Sequence, residues 1–201
     1  MDILVLAMLF VIGFWLLRSA WQRQRIALLG QHLGKYQIEK LMQELTEGYL
    51  RALGENDPAR REQIWQLLGA TEAKISKQFA SFSADFAKVD ADQTRVSTLA
   101  LAIPYADKMF PWATFDLRGL LAIHAQGIER AADARAGQSA KSRAFTLSAE
   151  LLLMQHSCHW FCKSKAVASA RVLVRHQTPY AQLLTSVSPR TAGAYRAIVG
   201  G

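Results

Sequence analysis

Residues 3–17 read ILVLAMLFVIGFWLL, fifteen positions without a charged or polar side chain, with Ile3 at one end and Leu17 at the other. Such a run belongs in the hydrocarbon of a bilayer or in the middle of a protein core. The residues after it decide between the two: Arg18, Ser19, Ala20, Trp21, Gln22, Arg23, Gln24 and Arg25. Tryptophan and arginine gathered at the end of an apolar run mark a membrane anchor at its cytoplasmic border. Fifteen helical residues span about 22 Å at about 1.5 Å each, short of ~30 Å of hydrocarbon. The shortfall closes when Arg18 snorkels, Ser19 and Ala20 are buried, and Trp21 sits at the interface. Residues 1–25 are therefore expected to form a transmembrane anchor with a basic flank.

Two other readings compete. A cleaved signal peptide wants positive charge ahead of the run, where Asp2 stands. It also wants small residues before the cut, and Arg18 lies three positions before a cut after Ala20. The other competitor is the buried core helix of a soluble bundle.

Charge asymmetry sets the expected orientation. Only Asp2 and the terminal amine precede the run, whereas Arg18, Arg23, Arg25 and Lys35 follow it. The positive-inside rule places the N-terminus outside and the long C-terminal part in the cytoplasm, at an inner membrane. Arginine outnumbers lysine 15 to 9 and Asn56 is the single asparagine, a composition expected of a GC-rich bacterial genome. Cys158 and Cys162 are too few for a secreted disulfide scaffold.

Beyond residue 25 the chain is long enough for one domain with a real core. Its hydrophobic content of 51% argues against disorder. The pattern is helical throughout, so the fold class is all-α, with the anchor continuing into a cytoplasmic multi-helix bundle. Residues 26–178 are expected to form that bundle, and 179–201 a weakly helical tail. Apolar residues at Ile26, Leu29, Leu33, Tyr36, Ile38, Leu41, Leu45 and Tyr49 follow one helix face, so the anchor reads as a single rod to about Leu53. Gly54 to Pro58 breaks it. A second helix from Pro58 to about Val89 carries a seam at Leu68, Ile75, Phe79, Phe82, Phe86 and Val89, with Glu72 placed off it. Residues 96–103 form a short apolar segment closed by Pro104. Another helix is expected from Pro111 to about Ala134, with Trp112, Phe115, Leu120, His124 and Ile128 inward. Gly137 to Ser139 makes a turn, and a long helix covers 140–176. Residues 181–187 and a stretch from Ser188 to Gly201 complete the pattern.

One cluster has the residue types of a metal or haem site: His156, Cys158, His159 and Cys162. Thiolate and imidazole suit zinc, copper or haem iron. Yet a single helix delivers two ligands at i,i+3 or i,i+4 far more readily than three. The spacing is neither a paired C-x2-C pattern nor C-x-x-C-H. The alternative is two cysteines packed as small apolar residues beside a polar edge. His124 reads as a core histidine with one hydrogen bond. No nucleophile elbow, Walker loop, dinucleotide glycine fingerprint or HExxH motif occurs, so no enzymatic activity is expected.

Net charge is +8, and it is unevenly spread: residues 136–201 hold 8 Lys/Arg and only Glu150. Lys163, Lys165, Arg171 and Arg175 make a basic surface, read either as a solvated face or as contact with an anionic leaflet. The chain is thus expected to be a membrane-anchored scaffold, accessory subunit or assembly factor without a cofactor. Its expected partners are the lipid bilayer and another membrane protein or a second copy, through Gly30-x-x-x-Gly34 or the phenylalanine seam. No nucleic acid is expected. A redox or sensing module on the Cys/His cluster is the alternative.

Overall fold

The computed structural model describes residues 3–133 and 138–200, and these fold into ten helices and one two-stranded hairpin. Helix α1 (Ile3–Leu33) carries the apolar run and continues past it without interruption. Helix α2 (Ile38–Gly54) follows, then α3 (Pro58–Phe86) and the short α4 (Ala91–Thr94). Strand β1 (Arg95–Ser97) pairs antiparallel with β2 (Thr114–Asp116), matching Val96 to Phe115. Between the strands lie α5 (Ala106–Met109) and a 3-10 turn at Pro111–Ala113. The chain ends with α6 (Leu117–Ala132), α7 (Ala140–Cys162), α8 (Lys165–His176), α9 (Tyr180–Ser186) and α10 (Pro189–Val199). The all-α class is borne out.

The expected rod to Leu53 is corrected: α1 stops at Leu33, and residues 34–37 turn the chain into α2. Glycines at 30 and 34 weaken the helix there, and tertiary bonds reward the break. Tyr36 donates its hydroxyl to Asp85 at 2.5 Å and sets its ring edge against Phe82, while the Gln37 N–H donates to the Gln78 side chain at 2.6 Å. The next boundary falls where the sequence placed it. Asp57 caps α3 by accepting from Ala59 N–H at 2.8 Å and Arg60 N–H at 3.3 Å, with Pro58 at the first helical position.

Leu68, Ile75, Phe79, Phe82 and Phe86 are all buried, so the phenylalanine seam is the heart of the core. Glu72 lies on the same face rather than off it, 1% exposed, because position 72 fills the gap of seven between Leu68 and Ile75. Its carboxylate accepts from Tyr49 Oη at 2.8 Å and from Arg143 Nε at 2.8 Å, which joins α2, α3 and α7.

Two further expectations are corrected. No α-helix starts at Pro111: a single 3-10 turn there leads into β2, and α6 begins at Leu117 under the Asp116 cap. Trp112 is consequently 76% exposed instead of facing inward. The expected single helix over 140–176 breaks at Lys163 and Ser164, where Ser164 caps α8 by accepting from Val167 N–H. The expected helix end at Ala134, the glycine of the Gly137 turn and the terminal Gly201 lie outside the described residues.

Side-chain pairs give the direction of each helix. His32 meets Phe86 and Tyr36 meets Phe82, so α3 runs back along α1 and α2. Glu72 meets Arg143 and Phe86 meets Phe161, so α7 runs with α3. His124 meets Ser157, and α6 packs along α7 in the opposite sense, with Gly127 beside Glu150. One end of the bundle therefore holds the exit of α1, the β1–β2 hairpin and the α7–α8 junction. The Gly54–Pro58 turn lies at the other end. Helices α8 and α9 cover α7, and α10 covers α6, burying Leu183, Ala192 and Tyr195.

Candidate functional site

The feature that sets this molecule apart is the place where α1 leaves the bundle. Every side chain from Ile3 to Leu17 is exposed, Phe10 to 74%. Arg18 and Ser19 are half-buried, and Trp21, Gln22, Arg25 and Leu29 are buried in the bundle. Among the described residues α1 is the one helix long and apolar enough to cross a membrane. A signal sequence has the same length and composition. The helix carries two environments end to end, bare apolar surface first and packed core second.

Arg25 locks the packed half. Its guanidinium donates to the Phe161 carbonyl at 3.2 Å and to the Arg95 carbonyl. It lies 4.1 Å from the centre of the Trp21 ring and 4.8 Å from that of Phe161. Phe161 is in the last turn of α7, where carbonyls lack helical partners and a cation is favoured. One side chain thus ties α1 to α7 and to β1. Beside it, Lys163 Nζ donates to Gln22 Oε1 at 2.9 Å, and Trp160 Nε1 donates to the Ser97 carbonyl at 2.9 Å. Arg25, expected in the basic flank, and Trp21, expected at the membrane interface, are both buried in the bundle instead. The signal for the inward role of Arg25 was the i,i+4 pair with Trp21, which puts both on one helix face.

The four Cys/His residues enter different surroundings. His156 is buried, its Nε2 bonded to Ser169 Oγ at 3.0 Å and its ring stacked on Tyr180 at 4.4 Å. Cys158 is buried with Sγ 3.9 Å from Met154 Sδ. His159 Nδ1 faces Arg171 Nη1 at 3.3 Å. Cys162 is half-buried and reduced, as is Cys158. Burial raises both thiols, Cys162 to about 11. Among the described residues no three His, Cys, Asp or Glu side chains converge on a common point.

The basic residues also part company. Lys163 lies at the α1 junction, and Lys165 rests over the Trp160 and Tyr180 rings at 5.1 and 5.4 Å. Arg171 and Arg175 line an open groove of about 400 Å³ with His159, Val167, Val174 and His176. His124 is the core histidine expected, fully buried with Nε2 2.9 Å from Ser157 Oγ.

The buried histidines make stability depend on pH. Burial, reinforced by His156, holds His124 down to about 3; burial, with the charges of Lys165 and His159, holds His156 to about 4. In the unfolded chain both take up a proton below about 6.5. Their contribution is therefore complete above pH 6.5 and is lost as pH falls toward 4 and then 3. Glu150 acts in the opposite sense, since burial raises its pKa. We expect denaturation midpoints to fall between pH 6.5 and 4.5. His124→Gln, which keeps a polar group near Ser157, should flatten that slope by as much as ~1.4 kcal/mol per pH unit. Equal slopes for the two proteins would show that His124 already titrates normally in the fold.

Fold and junction together define a class: a helical bundle carried on one helix able to cross a membrane. Compared with protein-family models, curated proteins and solved structures, the chain matches none.

Proposed function

We propose that this chain is a single-pass protein of a bacterial inner membrane, with its N-terminus outside and its bundle in the cytoplasm. It acts there as a scaffold, accessory subunit or assembly factor through protein–protein contacts. The observation that carries this reading is the unbroken course of α1 from bare apolar surface into the core. A helix of 31 residues measures about 46 Å at about 1.5 Å per residue. About 22 Å of that, residues 3–17, is bare and serves the bilayer, and the rest is the segment that enters the bundle, packed from Trp21 through Leu29. A flexible tether would only raise local concentration; a helix wedged by Trp21, Gln22, Arg25 and Leu29 also fixes height and direction. Orientation rests on the exposed Arg23 and Lys35 and half-buried Arg18 after the run, against Asp2 before it. Leu50, Leu53 and Leu67, exposed toward the far end of the α2–α3 hairpin, give a partner apolar surface away from the membrane.

The structure shifts where the anchor should be cut, because residues 18–25 belong partly to the bundle. Removing residues 3–17 should move the protein from the alkali-resistant membrane pellet to the soluble fraction with its helical content otherwise kept. Intact protein should retain its N-terminal residues by mass, and a C-terminal tag should be shielded from protease in intact spheroplasts. Extraction of the full chain by alkaline wash, or a mature mass lacking the first twenty residues, would remove this reading.

A further inference from the structure

The end of the bundle that surrounds α1 carries a second apolar feature. Residues 98–113 connect β1 to β2, and the first part of this connection lies against α1 beside Trp21 and Arg25. Leu99, Leu101, Ala102 and Ile103 share a crevice with Trp21 and Lys163. The crevice volume of about 10 Å³ leaves no room for a ligand. The connection is tied down from the other side by Ala166 N–H, which donates to the Ala100 carbonyl at 3.4 Å. Asp107 sets its charge toward Arg25.

Height follows from α1 itself. The helix is bare to Leu17 and half-buried at Arg18 and Ser19, so the bundle rises to the point where the apolar run ends. With residues 3–17 in hydrocarbon, this end of the bundle meets the headgroups. The exposed large side chains of the connection are Leu101, Tyr105, Met109 and Trp112, at 70, 39, 59 and 76%. Phe110 backs Trp112 edge-on with ring centres 5.7 Å apart. Between Leu99 and Trp112 the only charges are Asp107 and Lys108, and Lys108 Nζ stands 5.8 Å from the Tyr105 ring. Trp, Tyr and Lys beside exposed aliphatic residues is the chemistry of a segment that lies in a membrane interface. Arg18, Arg23 and Lys163 surround the α1 exit with positive charge for anionic headgroups.

We propose that residues 98–113 form a second, non-spanning membrane contact, with Leu101, Met109 and Trp112 inserted at the headgroup–acyl boundary of an anionic leaflet. This rests on the anchor reading above and extends it: two contacts on one face stop the bundle from swinging about α1. The occupant is the bilayer because Leu99, Leu101, Ala102 and Ile103 line one crevice with Trp21 and Arg25, just past the bare run of α1; an apolar protein partner would have to compete there with the lipid around the anchor.

The test is a depth measurement on the full chain in bilayers containing anionic phospholipid, with Cys158 and Cys162 replaced by alanine. Nitroxide labels go singly at positions 9, 67, 101, 109 and 112, and accessibility to oxygen is compared with that to a water-soluble nickel complex. Positions 101, 109 and 112 should fall in the interface, position 9 deeper and position 67 in water. A label at 9 in hydrocarbon with 101, 109 and 112 either open to the nickel complex as in water or shielded from both reagents by protein overturns this inference and leaves the anchor standing. A label at 9 in water overturns both. Labels at 101, 109 and 112 replace exposed side chains, and an unchanged thermal midpoint confirms that each variant is folded.

Discussion

Replacing Arg25 by alanine should cost the solubilised protein ~3 kcal/mol, a fall of roughly 10 °C in thermal midpoint for a chain of this size. Three losses combine. The Phe161 and Arg95 carbonyls lose their donors, the stack on Trp21 and Phe161 opens, and the end of α7 loses its cation. Arg25→Met separates packing from bonding, since it fills the slot without donating; it should recover part of the loss. Arg25→Lys should also recover only part, because an ammonium lacks the planar fork that reaches two carbonyls. If alanine at this position changes the midpoint by no more than an ordinary surface substitution, the lock is not where the stability of the junction resides.

The second large effect is expected at Arg143. Its removal leaves Glu72, 1% exposed, with Tyr49 as its remaining side-chain partner among the described residues. An unpaired carboxylate in that position should destabilise the fold by ~3–5 kcal/mol. The pair itself is a different matter. Charges in a core are expensive to desolvate, and apolar replacement of both partners is often neutral or favourable. Arg143→Met combined with Glu72→Leu and Tyr49→Phe should therefore restore most of what Arg143→Met alone loses. Chemical denaturation of the single and triple variants checks this. A triple variant as unstable as the single one would mean that the geometry at α2, α3 and α7, and not the stranded charge, sets the loss.

These two sites show where a linear reading succeeds and where it stops. Local chemistry was legible. The apolar run, the Asp57–Pro58 start of α3, the phenylalanine seam and the Ser188–Pro189 start of α10 each depend on a few neighbouring residues. Glu72 was misplaced because its charge argued for solvent, and its partner lies 71 positions away in Arg143. Arg25 was placed in the basic flank for the same reason, since the carbonyls it serves are 70 and 136 positions distant. The β1–β2 hairpin escaped because strands of three residues carry no periodicity, and pairing 96 with 115 is a tertiary event. The break at residues 34–37 depends on Tyr36 finding Asp85 across the bundle. The Cys/His cluster drew notice by density along the chain, but a helix sends successive residues in different directions. His156, Cys158, His159 and Cys162 accordingly separate. Trp112, read as core, instead belongs to the exposed connection beside α1.

The central claim is that the membrane half and the bundle half of α1 move as one body. It is tested most directly by the distance between spin labels at Val11, on the bare part of α1, and Lys88, on the bundle just past α3, measured in lipid bilayers with the native cysteines replaced. A single narrow distance distribution is the predicted result, broadened when Arg25→Ala is introduced. A broad distribution in the otherwise unaltered protein would contradict it, since α1 would then be a hinged tether and not the rigid stem on which the bundle is held.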